Sequence, residues 1–261
     1  MHFFREFARM KKWVWLSVGL LLLTQCEKDP VLGIYTICDG EWTLYDPLIH
    51  HAVTDIDGNK YDAVQIGEQT WMVQNLRTTR YADGTAVFNV EGALYYIPNG
   101  DDSLGFRYNW VAAMHGANNS DADSSNVQGI CPDGWHLPSD AEWTQLISYV
   151  ESQPQYWYDG HSAAGKALAS TSGWAKSEVE CAIGNHAEHN NATWFSALPA
   201  GYASGGYDFN NTTVGVSAFF WSATECGEDH AWDRVLYHDD SGAYRFVKDK
   251  THGLSVRCVK D

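Results

Sequence analysis

The sequence predicts an α+β fold with strands paired antiparallel, and three observations carry that reading. One helix is signalled strongly in mid-chain. Ser139 and Glu142 form an S-x-x-E capping box, and Trp143, Leu146, Ile147 and Val150 follow at i, i+3, i+4 and i+7 as one apolar stripe. From Ala192 onward, short apolar and β-branched runs alternate with Gly- and Asp-rich breaks, the spacing of antiparallel strands. The 23 glycines and a charged share of only 19% favour strands and loops over a helical bundle.

The chain opens with an address rather than a folded element. Lys11 and Lys12 form a basic segment before the eleven-residue apolar run Trp13 to Leu23, too short for a comfortable membrane span. Thr24-Gln25-Cys26 follows, and a cysteine directly after such a run resembles a bacterial lipobox. Residues 1–25 are therefore expected to be a lipoprotein signal peptide, with Met10 as an alternative start and Cys26 as the lipidated residue. A plain signal peptide with an unmodified Cys26 is the alternative. Residues 26–53 read as a tether or N-terminal extension, with an edge strand possible near Tyr35 or Trp42.

The folded domain is expected from Thr54 to Asp261. Asp55-Ile56-Asp57-Gly58-Asn59 has the opening of a calcium loop but not its later ligands, so the spacing predicts a hairpin turn at Asp57-Gly58. Tyr61 to Ile66 and Gln69 to Gln74 alternate as two strands. Leu94 to Ile97 reads as a short strand, and Phe106 to Met114 as an aromatic-rich segment. Gly116 to Ser125 is a loop by composition. Pro132-Asp133-Gly134 is a turn that precedes the capped helix, Ser139 to about Val150. A small-residue helix is expected over Ala163 to Ala169. The remaining strands are expected at Trp194 to Pro199, Ala218 to Ala223, Ala231 to Tyr237, Ala243 to Val247 and Leu254 to Val259.

Charge and cysteine count narrow the function. The formal charge is −16. Without the first 25 residues, 13 basic and 32 acidic residues remain, a balance of −19. Such a surface repels phosphate backbones, so nucleic acid is not an expected partner. An exported protein lives where disulfides persist. Setting Cys26 aside leaves five cysteines, an odd number. The expected bridges are Cys131–Cys258, tying the helix entry to the last strand, and Cys181–Cys226, with Cys38 as the odd one.

Taken in order, DIDGNKYDAVQIGEQTWMVQNLRTTRYADGT, GFRYNWVAAM, GICPDGWHLPSDAEWTQL, FSALPAGY, FWSATE and GLSVRCVKD form a specific combination. The pattern strongly resembles the FISUMP domain, the Fibrobacter-type major paralogous domain of secreted and lipid-anchored bacterial proteins. The resemblance spans about Thr54 to Asp261. It implies a C-type lectin-like fold, two helices beside a twisted antiparallel sheet with long loops, and it implies no activity. Cys181 and Cys226 depart from the usual pattern together, which suits their pairing. Lectin-like proteins of this class can be diversified by retroelements, and residues 225–251 have the composition for it.

No catalytic constellation stands out. His186-Ala187-Glu188-His189 has H-x-x-H spacing but no apolar stripe to present both imidazoles on one face, so a polar loop is expected. Ser196, Ser222 and Ser255 lie in no nucleophile elbow. His136, before the capped helix, is expected to bond local backbone. The candidate ligand-binding residues are Tyr207, Asp208, Asn210, Asp229, Asp233, Tyr237, His238, Asp239 and Tyr244: aromatic area at low entropic cost, with adaptable polar groups between. Strand alternation puts Trp232, Arg234 and Leu236 on one face and Asp233, Val235 and Tyr237 on the other. The resemblance keeps the first set, so the second is expected to face a ligand. No cofactor is expected; calcium has loop acids but no fixed ligand spacing. The sequence thus predicts a lipid-anchored binding module at the bacterial outer membrane and cell surface, taking an extracellular protein or glycan, and touching membrane only through its anchor. The alternatives are a carbohydrate-acting or oxidising enzyme and a structural subunit of a surface assembly.

Overall fold

Strands dominate: two larger sheets share the last ten residues of the chain, alongside one two-stranded sheet. The structure is a computed structural model and describes residues 46–96, 101–204 and 213–261. In chain order the elements are β1 (Ile49–Thr54), β2 (Lys60–Ile66), β3 (Gln69–Met72), β4 (Tyr95–Tyr96), β5 (Arg107–Tyr108), α1 (Trp110–Met114), β6 (Trp135–His136), α2 (Asp140–Glu151), β7 (Trp157–Tyr158), β8 (His161–Ser162), α3 (Ala164–Leu168), β9 (Ser217–Glu225), β10 (His230–Tyr237), β11 (Tyr244–Asp249), β12 (Leu254–Ser255) and β13 (Val259–Lys260). One sheet runs β1-β2-β3-β13-β6, and a second runs β11-β10-β9-β12-β5-β4. Strand pairs are antiparallel except β12 with β9. The result is a mixed α+β fold.

The stretch Leu254 to Val259, expected as one strand, is two. β12 joins the second sheet and β13 the first. Between them Arg257 is fully buried and donates to the carbonyls of Met72, Phe195 and Ser196 and to Asn75 Oδ1. The same guanidinium explains another difference. Trp194 to Pro199 was expected as a strand, yet only Ala197 bridges, to Ala169. Trp194 and Ser196 have φ of 63° and 56°, outside strand geometry, and the Phe195 and Ser196 carbonyls point to Arg257 instead of a ladder. At the other end, β1 lies in the stretch read as tether except for its last residue, Thr54, and pairs with β2.

The capped helix forms as expected. Ser139 Oγ accepts from the Glu142 amide, and Glu142 accepts from the Ser139 amide. Trp143, Leu146 and Val150 bury their side chains among Trp71, Phe195, Phe220 and Leu236. Each large side chain buried this way contributes about 2–3 kcal/mol. The other face of β9 and β10 lies in a second core, with Phe219, Trp221, Ala231 and Val235 against Tyr108, Leu254 and Val256. The central strands are therefore covered on both sides.

Cys131 and Cys258 form the expected disulfide, with α-carbons 6.0 Å apart across 127 residues. The second expected bridge is not made. Cys226 is a free, half-buried thiol, whereas Cys181 is disulfide-bonded. Cys226 sits at the β9–β10 hairpin, while Cys181 is buried in the core beneath α2 and α3. Cys38 lies outside the described residues. Among those residues, no helix is long and apolar enough to cross a membrane.

Candidate functional site

Strand register assembles the most informative surface. Along β10, alternation puts Ala231, Asp233, Val235 and Tyr237 on one face. On β11, Phe246 stands opposite Asp233, Tyr244 opposite Val235, and Lys248 opposite Ala231. On β9, Trp221 stands opposite Asp233 and Phe219 opposite Val235. One face of three strands thus carries an aromatic row. Phe219 meets Tyr237 at 6.2 Å between ring centroids, Tyr237 meets Tyr244 at 6.4 Å, and Tyr244 meets Phe246 at 6.1 Å. Because β11 is the sheet edge, Tyr244 is 38% and Phe246 46% exposed. The Ala203–Gly253 bridge brings Tyr202 to Phe219 at 5.1 Å and to His252 at 5.6 Å.

Two opposite charges belong to the same face, one buried and one half-buried. Asp233 is 0% exposed, and neither carboxylate oxygen has a hydrogen-bond partner among the described residues. Burial pushes its pKa up to about 6, against the pull of Lys248 and Arg234. The Lys248 ammonium sits 4.5 Å from the ring centroids of both Tyr202 and Phe219. Burial holds the Lys248 pKa below the ordinary lysine value, with Asp233 opposing. Burial and then Lys248 lower the pKa of His252, whose Nδ1 is also buried without a partner. A buried carboxylate with no donor costs several kcal/mol, so its retention needs a reason.

The face is not open as the alternation suggested. Asp233 and Val235 are fully covered, because the Tyr108, Leu254 and Val256 side of the core packs beneath β9 and β10. Only Tyr237, half-buried, and Tyr244 reach solvent from the predicted set on this face. Asp239 is elsewhere: with Tyr244, Asp240, Glu151, Asp159 and Glu180 it lines a cavity of about 390 Å³. Asp229 is exposed at the β9–β10 hairpin, and His238 is half-buried. Tyr207, Asp208 and Asn210 lie outside the described residues. Sequence reasoning missed Tyr202, Phe246, Lys248 and His252. Their convergence comes from register across three strands, and the one available signal was alternation of Tyr244, Phe246 and Lys248.

Other polar clusters are satisfied and structural. Asp140 accepts from Arg234 and Arg245, and Arg245 stacks 3.3 Å over Trp232. Although burial pushes the Asp140 carboxyl up, the two guanidinium groups hold it below the ordinary range. His136 was expected to bond backbone. Instead its two ring nitrogens bond Glu142 and Asp261, each at 2.7 Å. The reason is β13, which pairs with β6 and delivers Asp261 beside the ring. In the calcium-like loop, Asp55 accepts from the Asp57 and Asn59 amides, the Asn59 side chain and Tyr61. Asp57 accepts from Thr78, Thr79 and Arg80. These oxygens hold a turn, as expected. Among the described residues no group of three or more His, Cys, Asp or Glu is placed to hold a metal.

The chain matches the family model of the Fibrobacter succinogenes major domain over residues 64–260. That span is most of the chain, and the protein belongs to this family. No curated protein and no solved structure matches it.

Proposed function

We propose that the protein is a lipid-anchored binding module on a C-type lectin-like scaffold, displayed at the outer membrane surface and holding an extracellular protein or glycan. The observation that carries the reading is Asp233, a buried carboxylate without a hydrogen-bond donor among the described residues, on the face of a partly exposed aromatic row. The buried charges Asp140, Lys166, Arg234 and Arg257 all have hydrogen-bond partners; a carboxylate kept without one suits a ligand. The lectin-like relationship is supported by family membership and by the mixed, mostly antiparallel fold. The anchor is supported by the apolar run before Cys26.

Two experiments test it. Full chain applied to arrays of extracellular proteins and glycans should bind, and Tyr244→Ala with Phe246→Ala should weaken that binding. Binding unchanged in the double variant contradicts the assignment. Separately, Cys26→Ser should move the protein from the membrane fraction to the soluble fraction; continued membrane association contradicts the anchor.

A further inference from the structure

The two charges on the face of the aromatic row restrict what chemistry can satisfy them. Asp233 offers only acceptor atoms and Lys248 only donors. The Asp233 carboxylate makes no hydrogen bond among the described residues, and the half-buried Lys248 ammonium lies against the Tyr202 and Phe219 rings, although each charge lowers the other's electrostatic cost. An apolar ligand leaves both unpaired. A cationic ligand satisfies Asp233 but meets the Lys248 ammonium. An anionic ligand meets Asp233 and a chain of net charge −16. A hydroxyl resolves the conflict, because it donates to a carboxylate and accepts from an ammonium at once. The surroundings point the same way. Tyr244 and Phe246 present exposed rings 6.1 Å apart, a platform for flat surfaces of C–H groups. A sugar ring has such a surface and a rim of hydroxyls. Asp233 is fully covered in the unliganded protein, so seating a hydroxyl against it requires a side chain to turn aside, and the half-exposed ring of Phe246, directly across on the edge strand, is the one in this proposal that does so.

We propose that this face takes a neutral glycan, with one sugar hydroxyl seated between the Asp233 carboxylate and the Lys248 ammonium and a ring lying on Tyr244 and Phe246. The inference rests on the binding reading above and adds the ligand class and the residues that select it. Recognition needs no calcium, since the selecting groups are a carboxylate, an ammonium and aromatic rings.

The test is an array of neutral, uronate-bearing or sulfated, and amino-sugar oligosaccharides, probed with the full chain in the presence of a calcium chelator. An array of extracellular proteins runs beside it. Neutral oligosaccharides are expected to be retained. Their binding should weaken about tenfold or more in Asp233→Asn, in Lys248→Met and in Phe246→Ala. Lys60→Ala, at an exposed position of β2 in the other sheet, should bind as wild type. Circular dichroism confirms that each variant is folded; Phe246→Ala, at an exposed position, keeps the test alive if a core variant is not. Preference for charged sugars, loss of binding with the chelator, or neutral-sugar binding indifferent to all three variants overturns the proposal. A protein ligand that needs Tyr244 and Phe246, with no sugar bound, overturns the glycan but leaves the binding reading standing. Folded protein that binds neither array overturns both.

Discussion

Lys166 and Asp233 are buried charges that the fold treats in opposite ways. The Lys166 ammonium donates to the carbonyls of Ala182, Asn185 and His186 and to Asn190 Oδ1, at 2.7–3.4 Å. Burial lowers its pKa to about 8, against the pull of the Glu188 charge, so it stays charged at neutral pH. It organises the segment that follows Cys181 much as a bound cation would. Lys166→Met should therefore cost about 2–4 kcal/mol of stability, read by urea unfolding, because the acceptors lose their donor. A change below about 0.5 kcal/mol would contradict the role. His136 makes a pH prediction. Burial pushes its pKa down, but hydrogen bonds to Glu142 and Asp261 outweigh that and hold it above the ordinary value. A raised pKa means that the stabilisation is complete below about 6.5 and is lost as pH rises through the folded value. Unfolding measured from pH 5 to 9 should show that decline in wild type and a smaller one in Asp261→Asn. Equal slopes would refute it.

At the scale of elements, the disulfide holds together what short strands cannot. β6, β12 and β13 have two residues each. Cys131 and Cys258 tie the approach to β6 to the approach to β13 across 127 residues. Closing so long a loop removes about 4–5 kcal/mol of unfolded-state freedom in the chain-entropy account. Cys131→Ser with Cys258→Ser should lower the melting temperature strongly, by on the order of 10 °C or more for a chain of this size. A shift of a degree or two would show that the strands suffice alone. This is also the scale at which the sequence was most legible. The capping box, the apolar stripe of α2, the Asp57-Gly58 hairpin and β9 to β11 depend on neighbours within a few residues, and they were read correctly. Trp194 to Pro199 was misread because Arg257, some sixty residues away, takes its carbonyls. Cys181–Cys226 was misread because pairing is set by where distant segments meet, which spacing does not encode.

For the whole molecule, the β9–β10 pair divides two cores, and the sheet edge at β11 is where buried and exposed aromatics become continuous. Alternation identified Asp233 and Tyr237, and composition Tyr244; register, invisible in the sequence, added Phe246 and Lys248, and Asp233 proved to be covered. Keeping that carboxylate unpaired lowers stability, the usual cost of a preorganised site. With its pKa raised to about 6, Asp233 contributes stability that is full below about 3.8 and lost as pH rises through about 6. The most direct measurement is therefore urea unfolding of wild type and Asp233→Asn at pH 4 and pH 7. The account predicts that the neutral, near-isosteric amide stabilises the unliganded protein at pH 7, by on the order of 1–3 kcal/mol, and changes little at pH 4. An Asp233→Asn protein less stable than wild type at pH 7 would mean that the carboxylate serves the fold, and would contradict its reservation for a ligand.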